Sequence, residues 1–284
     1  MNTIHQLSQY ALRELKGSYP DREIHNICQI IFMDLFHFTK IDIHIRKNEH
    51  LDESFSDKFI EIIRLLKSGS PLQYLLGETE FGGLKFKVDP STLIPRPETR
   101  ELILWAGSSL QGGEKILDIG TGSGCIAICL AHEYPGLSVT GIDISAEAIA
   151  TATENARLNE AAVEFLQRDI LRPDLYDWPL YDLIVSNPPY VRESEKQEMQ
   201  PQVVNHEPYQ ALFVPDEDPL LFYKSIAAFG QHRLTPGGWL YVEINEAFGD
   251  EIASLLSSYG YSEVEIKKDI CAKDRMARGR KSQV

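Results

Sequence analysis

The sequence lacks any long apolar run: nowhere in its 284 residues do the roughly 18 consecutive apolar residues of a membrane-spanning helix occur. Its opening residues, MNTIHQLSQYALRELKG, lack the basic stretch followed by an apolar stretch that marks a secretory signal. The composition is otherwise ordinary for a globular chain, with 43% hydrophobic and 25% charged residues. We therefore expect a folded cytoplasmic protein with no membrane partner.

Positive charge is also in short supply. The chain has 28 Lys and Arg residues against 42 Asp and Glu residues, which gives a net charge of −14. Proteins that bind duplex nucleic acid gain much of their affinity from clustered Lys and Arg side chains. We therefore expect no direct DNA binding, although a local basic patch within an acidic whole stays open.

Cysteine is scarce as well, and its spacing contains no Cys-x-x-Cys pair. The four cysteines are Cys28, Cys125, Cys129 and Cys271. We expect them to be reduced thiols, mostly buried, and we expect no metal site.

The first 76 residues predict a small helical bundle, because apolar residues recur there at spacings of three and four. The three apolar stripes are Ile4, Leu7, Ala11 and Leu15, then Ile24, Ile27, Cys28, Ile31 and Leu35, then Phe59, Ile62, Ile63 and Leu66. Residues 77–97 predict a β-hairpin and a linker, with the turn at Gly82 and Gly83.

From residue 98 to residue 284 short apolar strands alternate with helical stretches, which predicts an α/β domain with a parallel sheet. The central strands are expected at Lys115–Asp118, Ser138–Asp143, Val163–Gln167, Tyr181–Ser186 and Trp239–Ile244. Two last strands, Ser262–Lys268 and Met276–Lys281, lie too close together for a crossover and predict an antiparallel pair. The polar, proline-containing segment Val191–Asp218 is expected to be a long loop, with a lid as one interpretation.

Three glycines at alternate positions separate the first central strand from the helix that follows, in the run Gly120, Thr121, Gly122, Ser123 and Gly124. Glycines allow a tight turn and a close approach of ligand to backbone, and the helix N-terminus offers free N–H groups. About 20 residues further on, Asp143 ends the next strand, where a carboxylate can accept both hydroxyls of a ribose. Because Cys125 stands where the dinucleotide motif needs its third glycine, the pattern disfavours NAD.

The fourth central strand runs directly into Asn187-Pro188-Pro189-Tyr190, where an open α/β sheet binds its ligands. Prolines have no N–H group, so this turn presents mostly acceptors, to which the Asn187 side-chain oxygen adds another. The fitting guest is a planar NH2 group, with its protons on the Asn187 oxygen and the Pro188 carbonyl. Tyr190 would supply a flat apolar face for that guest.

These motifs together resemble amino-methylating enzymes of the class I S-adenosylmethionine-dependent methyltransferase fold. The Asn-Pro-Pro-Tyr motif by itself is shared with DNA adenine-N6 methyltransferases and some RNA enzymes. Further segments are similar to the HemK/PrmC family over nearly the whole chain: PLQYLLG at 71–77, EFG at 80–82, IPRPET at 94–99, and Asp274-Arg275 with Gly279-Arg280.

The resemblance implies a Rossmann-like domain at 98–284, with a seven-stranded and mostly parallel sheet. It also implies that the small helical domain at 1–76 helps recognise the substrate protein. It implies methyl transfer from S-adenosylmethionine to the N5 amide nitrogen of the glutamine in the Gly-Gly-Gln motif of class I peptide chain release factors. The product is S-adenosylhomocysteine. Because an amide nitrogen is a poor nucleophile, such a site works by positioning and by carbonyl dipoles, without a strong base.

The resemblance also implies roles for individual residues. Asn187, Pro188 and Tyr190 are expected to carry the catalysis and, with Pro189, to bind the acceptor amide. The methyl donor is expected to contact Asn187 as well as Asp118, Gly120, Thr121, Gly122, Ser123, Gly124, Asp143, Asp169 and Ile170. Ile170 departs from the aromatic residue of several relatives, so adenine would pack on an aliphatic side chain there.

Three other readings stay open at the level of sequence. A ribosomal-protein glutamine could be the acceptor, an adenine amino group could be, or the chain could bind a methyl donor or a partner without catalysis. The roles of Arg96 and Glu98 are also open, between an ion pair that orders their loop and a place in the pocket.

Overall fold

The computed structural model describes residues 2–283. Their helices are α1 (Ile4–Leu15), α2 (Asp21–Phe36), α3 (Lys40–Ile45), α4 (Glu53–Lys67), α5 (Leu72–Leu76), α6 (Pro97–Gly107), α7 (Cys125–Glu133), α8 (Ala146–Leu158), α9 (Pro201–His206), α10 (Tyr209–Leu212), α11 (Leu221–Arg233) and α12 (Gly249–Ser258). Their strands are β1 (Glu78–Phe81), β2 (Leu84–Lys87), β3 (Lys115–Ile119), β4 (Ser138–Asp143), β5 (Val163–Gln167), β6 (Tyr181–Ser186), β7 (Val191–Arg192), β8 (Phe213–Val214), β9 (Leu234–Glu243), β10 (Tyr261–Lys268) and β11 (Asp274–Lys281).

The chain forms two compact units. One, the helical unit, contains the chain through Gly77 together with Gln200–His206, and the other, the sheet unit, contains Glu78–Met199 and the chain from Glu207 onward. None of the helices within residues 2–283 combines the length and the apolar character needed to cross a membrane.

The helical unit has its own hydrophobic core. Helix α1 begins after Thr3, whose side chain accepts a hydrogen bond from the Gln6 backbone N–H, as an N-cap does. The three predicted apolar stripes face the core, although Leu35 is only partly buried. Stacked rings of Phe32 and Phe59, with centroids 4.9 Å apart, join α2 to α4 inside this core.

The sheet unit contains a seven-stranded sheet in the order β10-β11-β9-β6-β3-β4-β5. The five strands from β9 to β5 in that order run parallel, and β10 and β11 form an antiparallel pair at one edge. The prediction of a mostly parallel seven-stranded sheet is therefore confirmed. Because the parallel strands point the same way, their carboxyl ends share one edge, which brings together Asp143, Ser186 and Glu243.

A separate hairpin joins β1 to β2, with Phe81 opposite Leu84. Its turn is Gly82-Gly83, and both glycines have positive φ angles, 60° and 79°, which side chains disfavour. The hairpin predicted from this glycine pair is confirmed.

The prediction of a long loop at Val191–Asp218 is wrong. This segment contains β7, a 3-10 helix at Glu193–Glu198, α9, α10 and β8, and β7 pairs in parallel with β8. None of these elements is longer than six residues, so hydrophobic periodicity cannot reveal them. Two prolines that suggested a loop stand instead where helices begin, Pro201 at the start of α9 and Pro208 just before α10.

Candidate active site

A pocket of about 600 Å³ lies at the carboxyl edge of the sheet, and the residues that line it all belong to the sheet unit. Most of the predicted site residues line this pocket: Gly120, Thr121, Gly122, Ser123, Asp143, Asp169, Ile170, Asn187, Pro188 and Pro189. The other three, Asp118, Gly124 and Tyr190, do not line it. The structure therefore brings the glycine loop and the Asn-Pro-Pro turn into a single cavity.

The glycine loop takes a conformation that requires glycine. Gly120, Gly122 and Gly124 have φ angles of 71°, 53° and 82°, in the left-handed region. At Gly124 an added Cβ would also lie 2.9 Å from Ile128 Cδ1 and 3.1 Å from Ala152 Cβ. The first two glycines thus shape the pocket wall, and the third also allows α7 to pack against α8.

Asp118 lies beneath this loop at the end of β3 and is completely buried. Its Oδ2 accepts hydrogen bonds from the Thr121 hydroxyl at 2.6 Å and the Ala127 backbone N–H at 3.3 Å. Its Oδ1 has no hydrogen-bond partner among residues 2–283. Burial, with a smaller contribution from the nearby Asp143 charge, raises the pKa of Asp118 to about 7. Asp118 therefore holds the loop in place and leaves one buried acceptor unused.

Asp143 lines the pocket at the end of β4. Its Oδ2 accepts a hydrogen bond from the Gly122 N–H at 2.9 Å, and its Oδ1 accepts one from the Ser145 N–H at 3.0 Å. Burial raises the pKa of this carboxyl, while these backbone hydrogen bonds oppose the rise. Asp143 thus ties the glycine loop to the adjacent strand at the point where a ribose was predicted.

The next strand end contributes Asp169 and Ile170 to the pocket. Asp169 Oδ1 accepts a hydrogen bond from the Leu171 N–H at 2.8 Å, a turn that many aspartates make after strands. Ile170 is 7% exposed and packs into the core on one side of the sheet. An aliphatic surface therefore faces the pocket at the position predicted to contact adenine.

The acceptor turn begins where β6 ends. The Ser186 hydroxyl donates to the Ile119 carbonyl at 2.7 Å, which fixes β6 to β3 just before the turn. The Asn187 side-chain Nδ2 donates to Thr99 Oγ1 at 3.2 Å. The Tyr190 carbonyl accepts a hydrogen bond from Asn245 Nδ2 at 3.1 Å, which fixes the far end of the turn.

A buried glutamate that the sequence analysis did not identify lies behind this turn. Glu243, at the end of β9, is 1% exposed. Its Oε2 accepts from the Thr99 hydroxyl at 2.7 Å, and its Oε1 accepts from the Tyr190 hydroxyl at 2.9 Å. Burial raises the pKa of Glu243, and the two hydroxyls and the positive charge of Arg275 oppose that rise.

The site residues that the sequence analysis did not identify differ in how recognisable they are in the sequence. Thr99 closes the segment IPRPET that carried part of the family resemblance, so it could have been found. Glu243 and Asn245 are single polar residues at the end of an apolar stretch. Polar residues are common there because turns favour them, so they gave no distinct signal. Only the sheet order shows that this strand end adjoins the acceptor turn, because Val242 pairs with Ser186.

Arg96 has both of the roles that were left open. It lines the pocket, and its guanidinium forms an ion pair at 2.5 Å with Glu207, whose side chain is 1% exposed. The partner in this ion pair is therefore Glu207 and not Glu98. The same Glu207 accepts a hydrogen bond from the Ile94 backbone N–H at 3.4 Å, so it orders the segment before α6.

The seven-stranded sheet with its antiparallel edge pair, the glycine loop after β3 and the acid after β4 define the class I methyltransferase fold. Residues 104–210 match the family described as "Methyltransferase small domain", and residues 6–77 match the "PrmC N-terminal domain". The fold and the family match make the chain a methyltransferase.

Curated relatives give the family. Over 273 residues the chain is 41% identical to the release factor glutamine methyltransferase of Bacteroides thetaiotaomicron, a match covering 96% of this chain and 98% of that protein. It is 43% identical over 271 residues to the protein of the same name from Flavobacterium psychrophilum, covering 93% and 94%. The chain belongs to the release factor glutamine methyltransferase family, and the HemK/PrmC resemblance is confirmed.

Solved structures agree on the fold. A methyltransferase from Pyrococcus furiosus matches with a TM-score of 0.54 and 19% identity, over 81% of this chain and all of that one. A 16S rRNA N2 G1207 methyltransferase from Thermus thermophilus, solved with AdoMet and guanosine, matches with a TM-score of 0.53 and 18% identity, over 72% and 49%. At these identities the two structures show that the fold is shared.

Proposed function

We propose that this chain methylates the side-chain amide nitrogen of the glutamine in the Gly-Gly-Gln motif of class I peptide chain release factors. The donor is S-adenosylmethionine, the product is S-adenosylhomocysteine, and the protein acts in the cytoplasm on folded release factors. One observation carries the chemistry: the acceptor turn Asn187–Pro189 and the glycine loop line the same pocket. The names of the near full-length relatives support the choice of substrate.

The glycine loop and its neighbours fit the proposed donor. The glycines at 120 and 122 let a ligand approach the backbone of the loop closely, and Asp143 offers carboxylate oxygens at the pocket wall. Asp118 Oδ1, which has no hydrogen-bond partner within residues 2–283, gives this half an acceptor beneath the loop for an ammonium group or a bound water. When bound, S-adenosylmethionine supplies a methyl group on a positively charged sulfur. Asp169 and Ile170 would border its adenine.

The acceptor turn fits an amide NH2 group. Asn187 Oδ1 and the Pro188 carbonyl oxygen are hydrogen-bond acceptors, and prolines at 188 and 189 remove the backbone donors that would compete. Two acceptors hold the amide nitrogen in one position and polarise its N–H bonds, which is what a weak nucleophile needs most. The new N–C bond forms as the S–C bond of the donor breaks, the electron pair stays on sulfur to give S-adenosylhomocysteine, and the nitrogen releases one proton to water. The carbonyl dipoles stabilise the positive charge that develops on the nitrogen before that proton leaves.

A side-by-side transfer assay tests this proposal. Labelled S-adenosylmethionine is incubated with the enzyme and, separately, a purified class I release factor, ribosomal proteins and double-stranded DNA. The expected result is label on the release factor alone. A release factor with its Gly-Gly-Gln glutamine changed to alanine is the control and should stay unlabelled. Label on DNA or on a ribosomal protein only would keep the fold and reject the proposed substrate.

A further inference from the structure

The buried Glu243 carboxylate is linked to both ends of the acceptor turn, directly to Tyr190 and through Thr99 to Asn187. Its Oε1 accepts from the Tyr190 hydroxyl, and its Oε2 accepts from the Thr99 hydroxyl, which in turn lies 3.2 Å from Asn187 Nδ2. These four residues come from three parts of the chain, since Thr99 is in the first turn of α6, Asn187 and Tyr190 follow β6, and Glu243 ends β9. Thr99 and Glu243 are 2% and 1% exposed, so water does not compete for these hydrogen bonds.

The chain of hydrogen bonds has a direction. A threonine hydroxyl has one proton, and the Thr99 proton is used in the 2.7 Å hydrogen bond to Glu243. Toward Asn187 the Thr99 oxygen therefore presents only lone pairs, so the part of the Asn187 amide that faces it must be the NH2 group. With its NH2 group held by Thr99, Asn187 has its Oδ1 left for another partner.

The opposite orientation of the Asn187 amide would prevent the site from accepting an NH2 group. An amide turned by 180° would place its NH2 group where Oδ1 stands and would oppose the NH2 group of an incoming glutamine with a second set of donors. The two orientations have nearly the same shape, so packing does not distinguish them. The hydrogen bond to Thr99 does, because its acceptor faces only one end of the amide.

We propose that Thr99 and Glu243 are positioning residues, which hold the Asn187 amide with its oxygen available to the substrate. This inference rests on the proposed function, since it concerns how an acceptor NH2 group is received. Glu243 acts through Thr99 on Asn187 and acts directly on Tyr190, so one carboxylate fixes the position of both polar side chains of the Asn-Pro-Pro-Tyr motif.

The test compares two changes at Thr99. Thr99→Val keeps the shape of the side chain but removes the oxygen, and Thr99→Ser keeps the oxygen. We expect Thr99→Val to lower kcat for release factor methylation by up to about 100-fold, the scale of a misplaced reacting group, and Thr99→Ser to restore most of it. The KM for S-adenosylmethionine and the Kd for S-adenosylhomocysteine should stay at wild-type values in both.

The chain offers a matched control at the other end of the same strands. The Thr235 hydroxyl donates to Asp182 Oδ1 at 3.0 Å, so Thr235→Val removes a threonine-to-carboxylate hydrogen bond far from the pocket. We expect Thr235→Val to leave kcat unchanged. If Thr99→Val does not fold, Thr99→Ala removes the same oxygen with less side chain to accommodate and carries the same prediction.

The outcomes separate this inference from the proposed function. If the wild-type enzyme methylates the release factor and Thr99→Val or Thr99→Ala retains full kcat, the inference is overturned and the function stands. The inference also fails if Thr99→Ser is as impaired as Thr99→Val, or if Thr235→Val lowers kcat to the same extent. If the wild-type enzyme labels no release factor, the proposed function fails and takes the inference with it.

Discussion

Asp118 and Glu243 are both fully buried carboxylates behind the same pocket, but they support its two halves in different ways. Asp118 accepts hydrogen bonds from the Thr121 hydroxyl in the glycine loop and from the Ala127 backbone N–H in α7 through a single oxygen, and its other oxygen has no partner within residues 2–283. Glu243 uses both oxygens, one on the hydroxyl of Tyr190 in the acceptor turn and one on the hydroxyl of Thr99, which contacts Asn187 of that turn.

This difference shows what each half of the pocket is made of. The donor half presents backbone, whose shape follows from three left-handed glycines and a strand that ends beneath them. The acceptor half presents a side-chain amide, which has two nearly isosteric orientations and needs other side chains to select one. Changes in the two halves should therefore separate donor binding from methyl transfer.

The largest effect is expected at the acceptor turn. Asn187→Ala removes the side-chain acceptor that acts on the reacting nitrogen, and should lower kcat by about 100-fold to 1,000-fold, as removal of a preorganised polar group does. Donor binding, measured by calorimetry with S-adenosylhomocysteine, should remain close to wild type. An Asn187→Ala enzyme with unchanged kcat would show that the amide takes no part in the reaction.

A smaller effect, on donor binding, is expected at the donor half. Asp143→Ala leaves the Gly122 and Ser145 N–H groups without their acceptor and should weaken S-adenosylhomocysteine binding by about tenfold to 100-fold. Asp182→Ala is the control, because Asp182 also accepts from a backbone N–H, that of Lys115, far from the pocket. Equal Kd values for Asp143→Ala and wild type would reject the ribose assignment.

The support of the acceptor turn should also be visible in stability. Tyr190→Phe leaves Glu243 Oε1 without its hydroxyl donor in a buried site, and should lower the free energy of unfolding in urea by about 1–3 kcal/mol. Tyr209→Phe removes a hydroxyl bonded to Glu193 at the surface and should change it little. Similar values for the two variants would mean that the buried hydrogen bond adds no stability.

The smallest effect is expected at the adenine position. Ile170→Phe places an aromatic ring where an aliphatic side chain now borders the pocket, and should tighten S-adenosylhomocysteine binding by about twofold to tenfold through stacking. The melting temperature reports whether the larger ring is accommodated in the core. Weaker binding by a variant that melts like wild type would place the adenine elsewhere.

Much of the fold is local and could be predicted. Apolar stripes at helical spacing, short apolar strands and the Gly82-Gly83 turn each depend on neighbours in sequence, and all appear in the structure. Strand β9 begins at Leu234, earlier than the predicted Trp239, because the intervening Pro236-Gly237-Gly238 reads as a turn. The elements of Val191–Asp218 were missed for a different reason. Each is too short for a repeating pattern of apolar residues to be recognised within it.

The two halves of the site also differ in how far they could be predicted from the sequence. The glycine loop and Asp143 form a pattern along the chain, so the sequence alone indicated a nucleoside-containing ligand. The Asn-Pro-Pro-Tyr turn indicated an NH2 guest, but the residues that hold its side chains lie 88 and 53 positions away, at Thr99 and Glu243. Their importance depends on strand order and on buried hydrogen bonds, which no local pattern contains.

The most direct test of the central claim is to locate the methyl group on the substrate. A class I release factor is treated with S-adenosylmethionine and either wild-type enzyme or Asn187→Ala, digested, and sequenced by mass spectrometry. We predict one methyl group on the side-chain nitrogen of the Gly-Gly-Gln glutamine with wild-type enzyme, and almost none with the variant. A methyl group on any other residue, or equal methylation by the two enzymes, would contradict the account.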